Sequence, residues 1–134
     1  MAGDWKSLLS CALALAATAT VGHGQTHKDI GAAEIAQLPP FCWEQYIKGV
    51  SGPQYRIGRD CGPATNHYCP GLVELMRAKR SLDARKRLSY LQKAKHQTLY
   101  TLKGIERYPA CSIRNHVEKT LNEVNALLMG RGEK

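Results

Sequence analysis

The sequence predicts an all-α fold: a disulfide-braced antiparallel helical bundle of three main helices, preceded by a loop-rich N-terminal section. Three observations carry this expectation. Apolar residues recur at helical spacing from Pro70 to the C-terminus, strand patterning is weak throughout, and the cysteines outside the first 24 residues number four. A chain of 134 residues is long enough for one domain and too short for two of ordinary size. It contains no run of 18 apolar residues, so it has no expected membrane span once the leader described next is removed.

Residues 1–24 read as a cleavable export signal. Lys6 lies in a short polar n-region, Ser7 to Val21 is apolar, and Gly22-His23-Gly24 supplies small residues for cleavage. Removal takes Cys11 with it and leaves Cys42, Cys61, Cys69 and Cys111, an even count in a chain sent to an oxidising compartment. The expected location is therefore periplasmic or secreted, in a bacterium. Gaps of 18, 7 and 41 residues between these cysteines contain no Cys-x-x-Cys knuckle, which argues against structural zinc and against thioredoxin-like chemistry.

Residues 25–40 are expected to form a flexible leader, Ala-rich and polar, with at most one helical turn near Ala32 to Leu38 before Pro39-Pro40. The single domain then runs from 41 to 134. Between Phe41 and Tyr68 the density of Gly and Pro predicts loops between short helical pieces. The first main helix opens near Pro70, whose missing N–H costs nothing in a first turn, and continues through Leu72, Leu75, Met76 and Lys79 to Ser81. Asp83 caps a second helix of about 22 residues, with Ala84, Leu88, Leu91, Thr98, Leu102 and Ile105 on its apolar face, ending before Tyr108-Pro109. Ser112 caps the third, with Ile113, Val117, Thr120, Leu121, Val124 and Leu128 on one stripe and Gly130 as the terminator.

Four cysteines allow three pairings, and spacing alone does not choose among them. We expect Cys42–Cys69 and Cys61–Cys111, because these tie the loop-rich section to the helices. A Cys61–Cys69 bridge would close a small loop and leave the tying to Cys42–Cys111.

The combination Leu38-Pro39-Pro40-Phe41-Cys42, Asn66-His67-Tyr68-Cys69-Pro70-Gly71-Leu72 and a long helix closing at Tyr108-Pro109 resembles small exported bacterial proteins loosely related to tetratricopeptide-like helical hairpins. The resemblance implies a helical scaffold that binds other proteins, and it implies no catalytic residue. The chain offers one hairpin and one further helix, so a full superhelical groove is not expected.

Charge is the most informative feature for function. Arg77, Lys79, Arg80, Arg85, Lys86, Arg87, Lys93 and Lys95 stand against the single acid Asp83, a net of +7 within a chain of net +8. Such a patch attracts an acidic protein partner or an anionic membrane surface. Nucleic acid is not an expected partner, given export and the lack of aromatics interleaved with the cations.

His67, beside Cys69, invites a metal reading with His96 and His116 as distant partners, which would make the chain a small metal- or cofactor-binding periplasmic protein. The competing reading has His67 and Asn66 capping the first helix and Tyr68 packing on Trp43 or Tyr46. Enzyme templates are absent: there is no Gly-x-Ser-x-Gly, no phosphate-binding Gly loop and no His-Glu-x-x-His. Glu44, Glu74 and Asp60 are scattered singly. The sequence thus names no catalytic residue and no cofactor.

Overall fold

The computed structural model describes residues 30–130, and among these every regular element is helical. The export-signal reading of residues 1–24 lies outside the described residues. Short helices α1 (Ala32–Ile35) and α2 (Trp43–Tyr46) precede α3 (Tyr68–Arg80), α4 (Ala84–Ile105) and α5 (Arg114–Leu128).

The part of the expected flexible leader that is described is packed. Leu38 is only 3% exposed and joins Cys42, Cys69 and Val73 in an apolar cluster, while Glu34 on α1 is bound by Arg77 and Arg80 of α3. One buried leucine and one carboxylate fork are enough to hold this short segment against the domain.

Around α2, residues 40–67 hold four tight 3-10 turns, at Pro40–Cys42, Pro53–Tyr55, Arg59–Cys61 and Pro63–His67. Three of these open on proline, which pre-sets φ and lacks the N–H that a first turn cannot satisfy. Gly62 joins the last two with φ +73, and a Cβ there would lie 2.2 Å from the ring of Tyr108, so this junction requires glycine.

Two disulfides fasten this section to the long helices. Cys42 is bonded to Cys69 in the first turn of α3, and Cys61 to Cys111 just before α5. All four of these cysteines are buried. Each bridge sits in its own apolar cluster: Cys42–Cys69 with Leu38 and Val73, and Cys61–Cys111 with Tyr68, Ile105, Ile113 and Val117. A third cluster, of Leu75, Ala78, Leu91, Ala94 and Val124, joins α3, α4 and α5 without a bridge.

Helix α3 begins at Tyr68, two residues before Pro70, because the Pro63–His67 turn runs into it without a break. His67 occupies the cap position with helical backbone angles and makes no capping bond, so the expected His67/Asn66 cap does not form. Tyr68 also differs from expectation. It stacks on Phe41 (centroids 6.3 Å apart) and shares a hydrogen bond of 2.8 Å with the Thr120 hydroxyl. Trp43 stacks instead on Tyr55 and donates its indole N–H to the Leu38 carbonyl.

At α4, the Asp83 carboxylate accepts from the Arg85 and Lys86 amides at 2.8 and 3.0 Å. The buried seam of this helix is Leu91, Ala94, Thr98, Thr101 and Ile105. The apolar spacing places Leu88 on that face, yet it is 48% exposed; at 100° per residue it projects from the flank of the seam. Two buried threonines fit because their hydroxyls bond locally, Thr101 to the Gln97 carbonyl and Thr120 to that of His116, whereas the buried Thr98 hydroxyl has no hydrogen-bond partner. Ser112 does not cap α5. Ile113 holds that position, and the Ser112 amide donates to the Asp60 carboxylate, which the neighbouring Cys61–Cys111 bridge brings within 2.9 Å. Gly130, with φ +69, ends the helix as expected.

Gly104 lets α4 approach the irregular section: a Cβ there would fall 2.1 Å from that of Ala64. Helix propensity alone predicts that Gly104→Ala stabilises by about 1 kcal/mol. The close approach predicts the opposite sign, a loss of about 1–3 kcal/mol in urea unfolding, with part of it regained in the double variant carrying Ala64→Gly. An unchanged or raised stability in the single variant would show that the two segments do not meet.

Candidate functional site

The late turns of α3, the first turns of α4 and the last turns of α5 meet at one end of the molecule, where Leu75, Ala78, Leu91 and Val124 pack together, with Leu127 and Leu128 against them. This pole carries the basic stretch. Its eight cations do not share one solvated edge. Arg77 grips the Glu34 carboxylate through Nε and Nη2, both at 2.9 Å, and Arg80 adds a third bond at 2.9 Å. Lys79 pairs with Glu123 of α5. Arg87 and Lys95 are half-buried, on the flanks of α4, and Lys93 is exposed, with its ammonium 5.9 Å from the centre of the Tyr90 ring. Arg85 and Lys86 are exposed on the first turn of α4.

Taking Glu34 and Glu123 from the +7 of the stretch leaves +5 at the pole. The excess is therefore smaller than the linear sequence implies, because acids distant in sequence fold onto it. What remains is placed against local preference. Three consecutive cations in the first turn of α4 face the positive end of the helix dipole, at a cost of about 0.3–1 kcal/mol each. Asp83 offsets part of this, and its attachment to the Lys86 and Arg85 amides holds its carboxyl below the ordinary range.

Beside this turn lies an open basin of about 360 Å³ lined by Glu34, Arg77, Arg80, Ser81, Lys86 and Tyr90. Glu34, Ser81 and Tyr90 had no signal in the sequence; Glu34 in particular sits in an Ala-rich run more than 40 residues from its partners. A second hollow of about 420 Å³, between Pro63, Tyr100, Lys103, Gly104, Arg107 and Tyr108, lies near the opposite end of α4.

The histidines are dispersed. His67 bonds through Nδ1 to the Gln97 side chain and leans on the Tyr100 ring, 4.2 Å between centroids. His116 meets Phe41 edge-on, and His96 is exposed on α4. Among the described residues no three His, Cys, Asp or Glu side chains are grouped as metal ligands would be. The four cysteines among the described residues are paired in disulfides, which removes thiolate chemistry from them. The three scattered carboxylates serve separate places: Glu44 lies 4.0 Å from Arg56, Asp60 holds the Ser112 amide, and Glu74 is on α3.

Comparison with protein-family models, with curated proteins and with solved structures finds no match to this chain.

The Arg77 guanidinium, bonded to Glu34, holds that carboxyl down at about 2 against an ordinary 4.5. A depressed acid stabilises the fold fully above its unfolded value and loses that contribution as pH falls toward the folded value. Stability should thus decline between pH 4.5 and 2 in part through this group. Glu34→Gln should be less stable at pH 7 by about 1–3 kcal/mol and show a flatter acid limb in thermal unfolding. Parallel pH profiles for the two proteins would show that Glu34 is not anchored.

Proposed function

We propose that this chain is an exported, disulfide-braced helical interaction module, an antiparallel bundle of three main helices that engages an acidic partner surface through its basic pole. The observation that carries the reading is the pole itself: a net of +5 after internal pairing, out of +8 for the whole chain, with Arg85, Lys86 and Lys93 exposed. Long-range attraction of an anionic surface follows from such an asymmetry, and the exposed cations Arg85 and Lys86 stand at the positive end of the α4 dipole.

Export is supported by the signal-like order of residues 1–24 and by two buried disulfides, which persist in an oxidising compartment. No helix among the described residues is long and apolar enough to cross a membrane. The resemblance to exported proteins with tetratricopeptide-like hairpins points the same way, to a scaffold that binds. The rival reading, metal or cofactor binding through His67, His96 and His116, has no grouped ligand set to support it.

The test compares two triple variants on an immobilised polyanion such as heparin across a salt series. Arg85→Gln with Lys86→Gln and Lys93→Gln should elute at clearly lower salt than a control losing Lys48, Arg59 and Lys119, which are exposed elsewhere. Both triples lose the same net charge, so equal shifts would mean that overall charge, and no particular pole, governs binding.

A further inference from the structure

We propose that the surface met by the basic pole is an anionic phospholipid bilayer, and that Leu82 is the side chain that enters it. This rests on the reading of the pole as an anion-binding surface and adds the nature of the partner. Leu82 is 103% exposed, more than any other large apolar residue described. A single exposed leucine is ordinary; its setting is what makes this one informative.

Leu82 sits at the tip of the turn joining α3 to α4, and that turn is held on both sides. The Ser81 amide donates to the Ala78 carbonyl at 3.2 Å, the Ser81 hydroxyl donates to the Asp83 carbonyl at 3.2 Å, and the Asp83 carboxylate caps α4. Leu82 is thus fixed outward, and folding into the core is closed to it. Leu88, 48% exposed, and Met129, 61% exposed, belong to the same pole, on the first turns of α4 and at the end of α5.

Cations surround this apolar tip: Lys79 and Arg80 precede it, Arg85 and Lys86 follow it, and all four are exposed. The basin next to it, lined by Glu34, Arg77, Arg80, Ser81, Lys86 and Tyr90, is open, and with both arginines bonded to the Glu34 carboxylate it keeps a net positive charge, with Lys86 free of that pairing. An apolar point standing beyond a ring of cations matches the layering of an anionic membrane, with phosphates outside and hydrocarbon beneath. An acidic protein would satisfy the cations equally well, yet it would leave Leu82 in water unless it also offered an apolar socket. Charge complementarity and the convex apolar tip together therefore favour the bilayer. Each cation near an anionic leaflet strengthens binding roughly fivefold, and burial of one leucine roughly ten- to a hundredfold.

The test uses the purified exported chain, lacking residues 1–24, with its disulfides intact, sedimented with vesicles of phosphatidylcholine alone or containing phosphatidylglycerol, at low and high salt. Wild type should bind the anionic vesicles at low salt, and neutral ones at least tenfold more weakly. Leu82→Ser, at a fully exposed turn position, should lose about tenfold on anionic vesicles while its elution from the polyanion matrix stays unchanged. Leu82→Trp should add a fluorescence component quenched by lipids brominated in the acyl chain. Retention on the polyanion without vesicle binding, or vesicle binding indifferent to Leu82→Ser, would overturn the bilayer and leave the anion-binding pole standing. Failure to bind either the polyanion or the vesicles would overturn both.

Discussion

The Cys42–Cys69 and Cys61–Cys111 bridges are the constraint on which the rest of this molecule depends. Residues 40–67 are a succession of 3-10 turns and the one-turn helix α2, each too short to bury an apolar face of its own. Closing chain separations of 27 and 50 residues removes a large part of the entropy that would otherwise keep such a segment open. Each bridge also supplies buried sulfur to a cluster that would be thin without it. The first cluster carries Leu38, and with it the N-terminal segment; the second carries Tyr68, Ile105 and Val117, and with them the contacts of α3, α4 and α5.

The pole at the other end of the helices has no bridge, and electrostatic pairing is prominent there. Glu34 and Glu123 meet Arg77, Arg80 and Lys79, so the N-terminal segment and α5 are both tied by charge to the last turns of α3. The Arg77–Glu34 fork is partly screened from solvent and held by paired hydrogen bonds, which makes it stronger than an ordinary surface ion pair. The structure thus divides its stabilisation by place: covalent and apolar around the irregular section, apolar and ionic at the pole. The pole keeps a surplus of cations beyond what these pairings use, and that surplus is available to a partner.

Several elements were legible because their causes are local. Asp83 before a long amphipathic run marks the start of α4 and Gly130 marks the end of α5, since a cap needs a short polar side chain and a helix terminator needs positive φ. Other elements were misread because their causes are distant. His67 and Asn66 look like caps, but a 3-10 turn runs directly into α3. Ser112 looks like a cap, but Asp60, delivered by a disulfide, takes its amide. Leu88 fits an apolar stripe, but the placement of α3 and α5 on α4 sets the seam to one side of it.

The sequence by itself determined helix content, the positions of the main helices, the four cysteines that follow residue 24 and the concentration of positive charge between Arg77 and Lys95. These follow from periodicity, breaker residues and counting, all of which act over a few neighbours along the chain. Only the tertiary structure decided that Glu34 and Glu123 neutralise part of that charge, that His67, His96 and His116 form no grouped ligand set, and that Leu82 projects bare from a hydrogen-bonded turn at the basic end. Each of those depends on which helices lie side by side, and side-chain neighbours across such contacts leave no mark in local sequence.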